Sequence, residues 1–196
     1  AGSVPEVSRI APIVADSMLW KAREVKLDAQ IAILNAGSII GGLSAGNISV
    51  GQACDLLPYS NHLVMLELTG RELKEALAAG VSRAYTRRGR GGMFPYVGGL
   101  RYAIRVNQGR VAGINALKVR TAEGQWLPLD YRKTYRVIMN EYIARGGDGY
   151  TVFAQAKGMR HDTGYIDSEV LQEYARSLGT LRRPAEQYIT FIDERK

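Results

Sequence analysis

The hydrophobic pattern of the chain changes near its middle, and this change restricts the fold more than any other feature. Before Met93, segments with helical spacing alternate with short apolar runs that are typical of buried strands. After Met93 the pattern becomes rich in strands, and helical spacing returns only near the end of the sequence. No repeat or internal linker divides the 196 residues. We therefore predict one α+β domain, with mixed β-sheet layers flanked by helices.

Three helices are predicted from the spacing of their apolar residues. The first covers residues 8–24, with Ser8 as a candidate N-cap. The second follows Thr69, which stands three residues before Glu72 as in a capping box, and it has an apolar face of Leu73, Ala76, Leu77 and Val81. The third covers residues 167–178, with an inward face of Val170, Leu171, Tyr174 and Leu178.

Six strands are predicted from short apolar or alternating runs bounded by turn residues. They cover residues 29–35, 62–68, 100–107, 110–120, 134–142 and 188–192. Even the longest apolar runs fall far short of the roughly 20 residues that a membrane span needs. The sequence therefore predicts no membrane span.

A net charge of +7 raises the question of a nucleic-acid partner. Much of the excess is in residues 83–90, which contain Arg83, Arg87, Arg88 and Arg90, and glycines occur at positions 89, 91 and 92. This pattern favours a flexible, solvated basic loop over a nucleic-acid groove, so nucleic acid is not expected as a partner. Excess positive charge also suits a protein that handles nucleotides or other phosphorylated ligands.

The sequence contains few of the residues and motifs that a domain needs to catalyse a reaction by itself. A dinuclear metal site needs several converging His, Asp or Asn ligands, and the two histidines, His62 and His161, are far apart. No P-loop, CxxC pair or G-x-S-x-G elbow occurs. The single cysteine, Cys54, excludes an intrachain disulfide and is predicted to be buried as a small hydrophobic side chain.

Three junctions between strands and loops are better candidates for ligand binding. Residues 35–42 combine Asn35 with glycines that let the backbone approach a ligand. Residues 57–61 place Tyr59 directly after a proline, and residues 140–149 place Tyr142 before a glycine-rich loop with Asp148. Two tyrosines on two loops could stack on a flat ring, and an aspartate could accept hydrogen bonds from ribose hydroxyls. Taken alone, a tyrosine after proline is more often a packing residue, and a GGDG sequence is more often an ordinary turn.

Six short motifs occur in order at residues 35–40 (NAGSII), 46–49 (GNIS), 57–61 (LPYSN), 68–70 (LTG), 135–137 (YRV) and 146–150 (GGDGY). In order and spacing they resemble the C-terminal domain of the 5'-nucleotidase family, which includes periplasmic UDP-sugar hydrolases and surface ecto-5'-nucleotidases. The segment at residues 163–171 (TGYIDSEVL) is similar to the UDP-sugar hydrolases. The resemblance extends from about residue 10 to residue 192.

The resemblance implies a two-domain phosphoric ester hydrolase that is periplasmic, secreted or on the cell surface. An N-terminal metallophosphatase domain, absent from this sequence, would hold two divalent metal ions, and no cofactor is expected on this chain. Residues 8–196 would form the domain that binds a nucleoside, a nucleotide or a related phosphorylated small molecule. Residues 1–7 are expected to be a tag remnant or an interdomain linker.

The resemblance also assigns roles to individual residues. It places Tyr59 and Tyr142 on the two faces of the base, Asp148 on the ribose and Asn35 near the base. Gly37 and Gly147 belong to the same substrate-binding loops. Candidate phosphate contacts are Arg9 and Arg145. No catalytic residue and no metal ligand is expected in this chain.

Two positions depart from the family pattern. Ile40 stands where the family has an arginine that normally contacts the phosphate or ribose, and a second family arginine falls near Val4. Loss of a bidentate donor removes a strong charge-assisted interaction, unless Arg88, Arg90 or Arg145 replaces it. This keeps open a non-nucleotide substrate, as in the sulfur-oxidation hydrolases of the family. A binding module without a catalytic role and a structural domain with a degenerate pocket are further alternatives.

Overall fold

The computed structural model of the protein describes residues 8–85 and 91–194. Within these residues it contains helices and two mixed β-sheets, which confirms the predicted α+β architecture. The helices are α1 (Ala11–Glu24), α2 (Val50–Leu56), α3 (Gly70–Ala84), α4 (Glu141–Ala144), α5 (Thr151–Gln155) and α6 (Asp167–Leu178).

The strands are β1 (Ile31–Asn35), β2 (His62–Thr69), β3 (Pro95–Gly98), β4 (Leu100–Asn107), β5 (Arg110–Arg120), β6 (Trp126–Pro128), β7 (Thr134–Asn140), β8 (Arg160–Ile166) and β9 (Ile189–Asp193). The first sheet has the order β3-β1-β7-β2-β8, and the second has the order β6-β5-β4-β9. Each sheet contains one parallel pair, β1 with β7 and β4 with β9, and its other pairs are antiparallel.

The core lies around β1, whose five residues are all buried. This strand pairs with β3 on one side and β7 on the other, and α1 packs on β1 and β3 and against α6. Burial on both faces explains why residues 31–34 form an uninterrupted apolar run. On the other side of the molecule, α3 contacts β2 of the first sheet and β5 of the second.

The chain passes from one sheet to the other at Gly99, between β3 and β4. Its φ is +67°, and a Cβ atom at this position would collide with the carbonyl oxygen of Gln30. Both conditions require glycine, because other residues adopt this backbone conformation only with strain. This close backbone contact lies between the start of β1 and the point where the chain changes sheets.

The ends of the predicted helices are largely confirmed. In the capping box of α3, Glu72 N donates to Thr69 Oγ1 at 3.2 Å and Thr69 N donates to Glu72 Oε2 at 2.7 Å. The predicted apolar face of α3 is buried, and α6 has the predicted bounds. Helix α1 begins at Ala11, three residues later than predicted, although Ser8 Oγ accepts a hydrogen bond from the Ala11 N–H.

Several predictions about local structure were wrong. Cys54 is exposed, because α2 buries its opposite face through Ala53 and Leu56. Leu178 is 51% exposed rather than inward, since α6 ends at the rim of an open cavity. The strand predicted over residues 134–142 stops at Asn140, where α4 begins.

The predicted basic loop is only partly covered by the structure. Arg83 belongs to α3, not to a loop, whereas Arg87, Arg88 and Arg90 lie outside the described residues. The helices of the described part are all too short or too polar to cross a membrane.

Candidate functional site

The three junctions singled out in the sequence meet at one edge of the five-stranded sheet. Strands β1 and β7 are parallel, so their last residues, Asn35 and Asn140, end at the same edge. Strand β2 is antiparallel to β7, with Leu63 opposite Asn140, so the loop that precedes β2 and carries Tyr59 reaches this edge as well. We refer to Asn35, Tyr59, Asn140, Tyr142 and Asp148 as the edge site.

A chain of hydrogen bonds connects four side chains of the edge site. Asn140 Nδ2 donates to Asn35 Oδ1 at 3.0 Å, and Asn35 Nδ2 donates to Asp148 Oδ2 at 2.7 Å. The other carboxylate oxygen of Asp148 accepts from the Tyr142 hydroxyl at 3.1 Å. Both asparagines are buried, where unpaired amides are costly, so this chain fixes the orientation of the Asp148 carboxylate.

Asn140 has a second role at the start of α4. Its Oδ1 accepts a hydrogen bond from the N–H of Ile143 at 3.0 Å, which makes it the N-cap of this short helix. The next residue but one is Tyr142. One buried side chain therefore connects the end of β7, the direction of α4 and the hydrogen-bond chain to Asp148.

The glycine-rich loop fits closely against Tyr142. A Cβ atom at Gly147 would lie 2.6 Å from the Tyr142 ring, so only glycine allows this contact. Asp148 has a left-handed backbone with a φ of 54°, and its N–H donates back to the Tyr142 hydroxyl at 3.3 Å. Tyr142 remains 48% exposed, which leaves ring surface available to a ligand.

The same loop is held from behind by α3. Arg83 donates from its guanidinium to the carbonyl oxygen of Gly149. Tyr150 is buried and donates to the carbonyl oxygen of Met93 at 2.7 Å. A Cβ atom at Gly80 would lie 2.5 Å from the Tyr150 hydroxyl, so the glycine in α3 makes room for this anchor.

Tyr59 is held differently. Its side chain is 61% exposed, and its loop is fixed two residues later by Asn61. Asn61 Nδ2 donates to Asp167 Oδ2 at 3.1 Å, and the Asp167 N–H donates to the Asn61 carbonyl oxygen at 3.0 Å. This contact arises because β8 pairs with β2, with Ile166 opposite His62, and brings the start of α6 to the same edge.

Two pKa values at this edge are shifted. Burial raises the pKa of Asp167 to about 6, although hydrogen bonds from Asn61 and the Ser168 N–H oppose the shift. Desolvation also raises the pKa of the Tyr142 hydroxyl; the N–H of Asp148 opposes this shift, and the charge of Asp148 and the nearby Tyr59 add to it.

The remaining sequence candidates lie at three different places. Gly37 is next to Asn35, with a virtual Cβ 3.3 Å from Asn35 Nδ2. Arg145, directly after α4, has a side chain that is 75% exposed and pairs with Glu141 at 2.9 Å. Arg9 lines a separate open cavity of about 990 Å³ between α1, α6 and residues 43–50. A phosphate contact by either arginine stays a prediction.

Sequence reasoning missed two contributors to the edge site. Asn140 carries a usable signal, because asparagine directly after a strand and before a helix is a typical N-cap. The pair of Asn61 and Asp167 carries none, since 106 positions separate the two residues. Within the described residues, no group of three or more His, Cys, Asp or Glu side chains could hold a metal ion.

The groups of the edge site are chemically suited to ligand recognition. Each oxygen of Asp148 already accepts one hydrogen bond and keeps capacity for another, which suits hydroxyl donors. The exposed ring surfaces of Tyr59 and Tyr142 suit a flat apolar group. This combination can orient a ligand at the edge of the sheet.

A sequence model of the 5'-nucleotidase C-terminal domain matches residues 3–155, which is more than half of the chain. The chain belongs to the 5'-nucleotidase C-terminal domain family. The predicted family and fold are thereby confirmed. The motifs at residues 35–40, 57–61 and 146–150, which form the loops of the edge site, lie within the matched region.

Curated relatives of this family member are considerably longer than the chain. A trifunctional nucleotide phosphoesterase protein, YfkN, from Bacillus subtilis is 35% identical over 90% of the chain, which covers 12% of that protein. A probable 5'-nucleotidase from Treponema pallidum is 33% identical over 95% of the chain, which covers 32% of that protein. The chain thus spans a third or less of these relatives.

Solved structures of the family share the fold. A 5'-nucleotidase precursor from Thermus thermophilus has a TM-score of 0.84 and 38% identity, and the match covers 94% of this chain and 35% of that one. The NAD nucleotidase of Haemophilus influenzae has a TM-score of 0.85 and 26% identity, with 98% and 34% covered. In both cases the domain is a part of a longer protein.

Proposed function

We propose that this chain binds the nucleoside part of a nucleotide at the edge site. The observation that carries the proposal is the fixed carboxylate of Asp148 beside two exposed tyrosine rings. A base would stack on Tyr59 and Tyr142, and the ribose hydroxyls would donate to Asp148. The buried amide of Asn35 would hold the carboxylate in place for this contact.

We propose further that the chain is the substrate-binding part of a longer, metal-dependent 5'-nucleotidase or UDP-sugar hydrolase. Two divalent metal ions would be held by a metallophosphatase domain of the same protein. This chain would position the substrate phosphate for hydrolysis at those metal ions. Its contribution would be binding energy from parts of the substrate remote from the phosphorus. A periplasmic, secreted or cell-surface location would fit this role.

Names of the relatives support a nucleotide as the substrate class. The Treponema pallidum relative is a probable 5'-nucleotidase, and a Haemophilus influenzae relative is a NAD 5'-nucleotidase. Both match most of the chain, with 95% and 79% covered. The loops that form the edge site lie within residues 3–155, the region that the family model matches.

Calorimetric titration with adenosine, uridine and their monophosphates tests the proposal. We expect at least one nucleoside to bind, and Tyr59→Ala to weaken its binding at least tenfold, because stacking on one aromatic ring contributes about 1–3 kcal/mol. Tyr59→Phe is the matched control and should retain binding, since it keeps the ring. Absence of binding at millimolar concentrations of all four compounds would contradict a nucleoside site.

A second candidate is a substrate other than a nucleoside monophosphate, and one observation favours it. Ile40 is 50% exposed and presents an apolar side chain where the family pattern has an arginine. Its N–H donates to the Leu56 carbonyl oxygen at 2.9 Å, so the position is fixed beside the loop that carries Tyr59. No charge from residue 40 is available to a phosphate.

The variant Ile40→Arg separates the two candidates. If the chain binds nucleoside monophosphates without this arginine, the variant should increase monophosphate affinity about tenfold and leave nucleoside affinity unchanged. Ile40→Gln is the control for polarity without charge. A variant that still binds neither compound would favour the non-nucleotide substrate.

A further inference from the structure

A second cavity lies away from the edge site, where the end of β5 meets α1 and α6. It has a volume of about 630 Å³, and the residues that concern us are Asp16, Trp20, Arg23, Arg120, Tyr174 and Tyr188. We call it the aromatic cavity. It shares no lining residue with the edge site, and its volume is in the range of small-molecule sites.

Two guanidinium groups converge on this cavity. Arg23 and Arg120 both line the cavity, and both are exposed residues. Partial burial lowers the pKa of the Arg23 guanidinium, and the positive charge of Arg120 lowers it further. Arg23 Nε donates to the Ala29 carbonyl oxygen at a long 3.4 Å. The guanidinium of Arg120 lies over the Trp126 ring, 5.9 Å from its centroid, and makes no hydrogen bond or ion pair with any residue that the structure describes.

The acidic residues of the cavity already have partners. Both oxygens of Asp16 accept from the Tyr188 hydroxyl, at 3.2 and 3.0 Å. Glu24, at the rim, pairs with Lys21 at 3.0 Å. Two guanidinium groups therefore face one carboxylate that is occupied by a tyrosine, and positive charge with several N–H donors is left over.

The walls of the cavity are aromatic. The rings of Trp20 and Tyr174 are 5.5 Å apart and tilted by 46°, and they come from α1 and α6. Tyr188 also lines the cavity and contacts Trp126, with ring centroids 6.1 Å apart. Aromatic walls suit a flat ligand body, because aromatic groups bind each other in tilted or offset arrangements.

We propose that the aromatic cavity is a second binding site, for a small organic oxyanion with a flat ring. Arg23 and Arg120 bind the carboxylate or phosphate of the ligand, because planar guanidinium groups match both head groups through paired hydrogen bonds. The ring of the ligand lies against Trp20 and Tyr174. This site is independent of the edge site and of the function proposed for it.

Tryptophan fluorescence provides a direct test, because Trp20 lines this cavity and Trp126 contacts its lining residue Tyr188. The probes are phenyl phosphate, benzoate and the neutral benzyl alcohol, with calorimetry as a second measurement. We expect saturable binding of at least one anion, at least tenfold tighter than benzyl alcohol. The tighter of the two anions identifies the preferred head group.

Three variants make the test specific. Arg120→Gln should weaken anion binding at least tenfold, and Arg23→Gln should do the same if the first variant does not fold. Arg110→Gln, at the exposed start of β5, is the matched control and should bind as the wild type does. Tyr59→Ala should also leave probe binding unchanged, which separates this site from the edge site. Equal binding of benzyl alcohol, no saturable binding of either anion, or equal loss in Arg110→Gln would overturn the proposal.

Discussion

Tyr142 and Tyr59 lie at the same edge of the sheet but are held in different ways. The hydroxyl of Tyr142 exchanges two hydrogen bonds with Asp148, and its ring lies against Gly147. The side chain of Tyr59 makes no hydrogen bond with the described residues, and Asn61 fixes its loop instead. One ring is positioned by its own contacts and the other by its backbone. Substitutions should therefore affect stability mainly at Tyr142 and ligand binding at both.

The largest loss of stability should follow from substitution of Asn140, which caps α4 and begins the hydrogen-bond chain that ends at Tyr142. Asn140→Ala removes the N-cap of α4 and leaves the buried amide of Asn35 without its donor. We expect the free energy of unfolding to fall by about 3 kcal/mol, measured by urea denaturation. Ser49→Ala, at the exposed N-cap of α2, is the control and should lower it by about 1 kcal/mol. Equal losses in the two variants would mean that the hydrogen-bond chain is not what orders this side.

The next largest effect on stability depends on pH and concerns Asp167, which binds Asn61 and so fixes the loop that carries Tyr59. The folded pKa of Asp167 is about 6, above its usual value of 3.8, so between these pH values the folded state holds a proton that the unfolded state has lost. The contribution of Asp167 to the free energy of unfolding should therefore decrease by about 2 kcal/mol as pH rises from 4 to 6. Asp167→Asn should remove this contribution and make the profile less steep.

Denaturation at several pH values measures the difference. Asp55→Asn, on the exposed side of α2, should keep the slope of the wild type. Burial also raises the pKa of Asp16 to about 6. In Asp167→Asn the free energy of unfolding should therefore still fall with rising pH, but less steeply than in the wild type. If the pH dependence of the free energy of unfolding is the same in Asp167→Asn as in the wild type, Asp167 does not have the raised pKa.

A smaller effect is expected from the hydroxyl of Tyr142. Tyr142→Phe removes the hydrogen bonds to Asp148 but keeps the ring, so it should lower the free energy of unfolding by about 1 kcal/mol. Nucleoside stacking on this ring should persist. A stability equal to that of the wild type would remove the asymmetry between the two loops.

The smallest effect on stability is expected at Tyr59. Tyr59→Ala removes a mostly exposed ring and should change the free energy of unfolding by less than about 0.5 kcal/mol. Its effect on nucleoside binding should nevertheless be at least as large as that of Tyr142→Phe. A stability loss larger than that of Tyr142→Phe would mean that Tyr59 packs on the domain instead of serving a ligand.

Local sequence signals predicted the elements that local interactions define. The capping box of Thr69 and Glu72 and the bounds of α6 are of this kind. Strand β8 was not predicted, because its residues are mostly exposed, include Gly164 and form a strand only by pairing with β2. The same reason explains the missed contact of Asn61 with Asp167. Motifs predicted Asn35, Tyr142 and Asp148, which the structure joins by hydrogen bonds, but not the capping role of Asn140.

The exposure of residues 40 and 59 has a consequence for how such a domain changes over time. Both side chains lie at the surface of an edge whose strands are otherwise buried, so replacing them removes little of the packing that holds the fold. Ligand preference can then drift through single substitutions while the scaffold stays intact. A lineage could lose an arginine at position 40, or exchange one ring for another at position 59, without first acquiring a compensating change elsewhere.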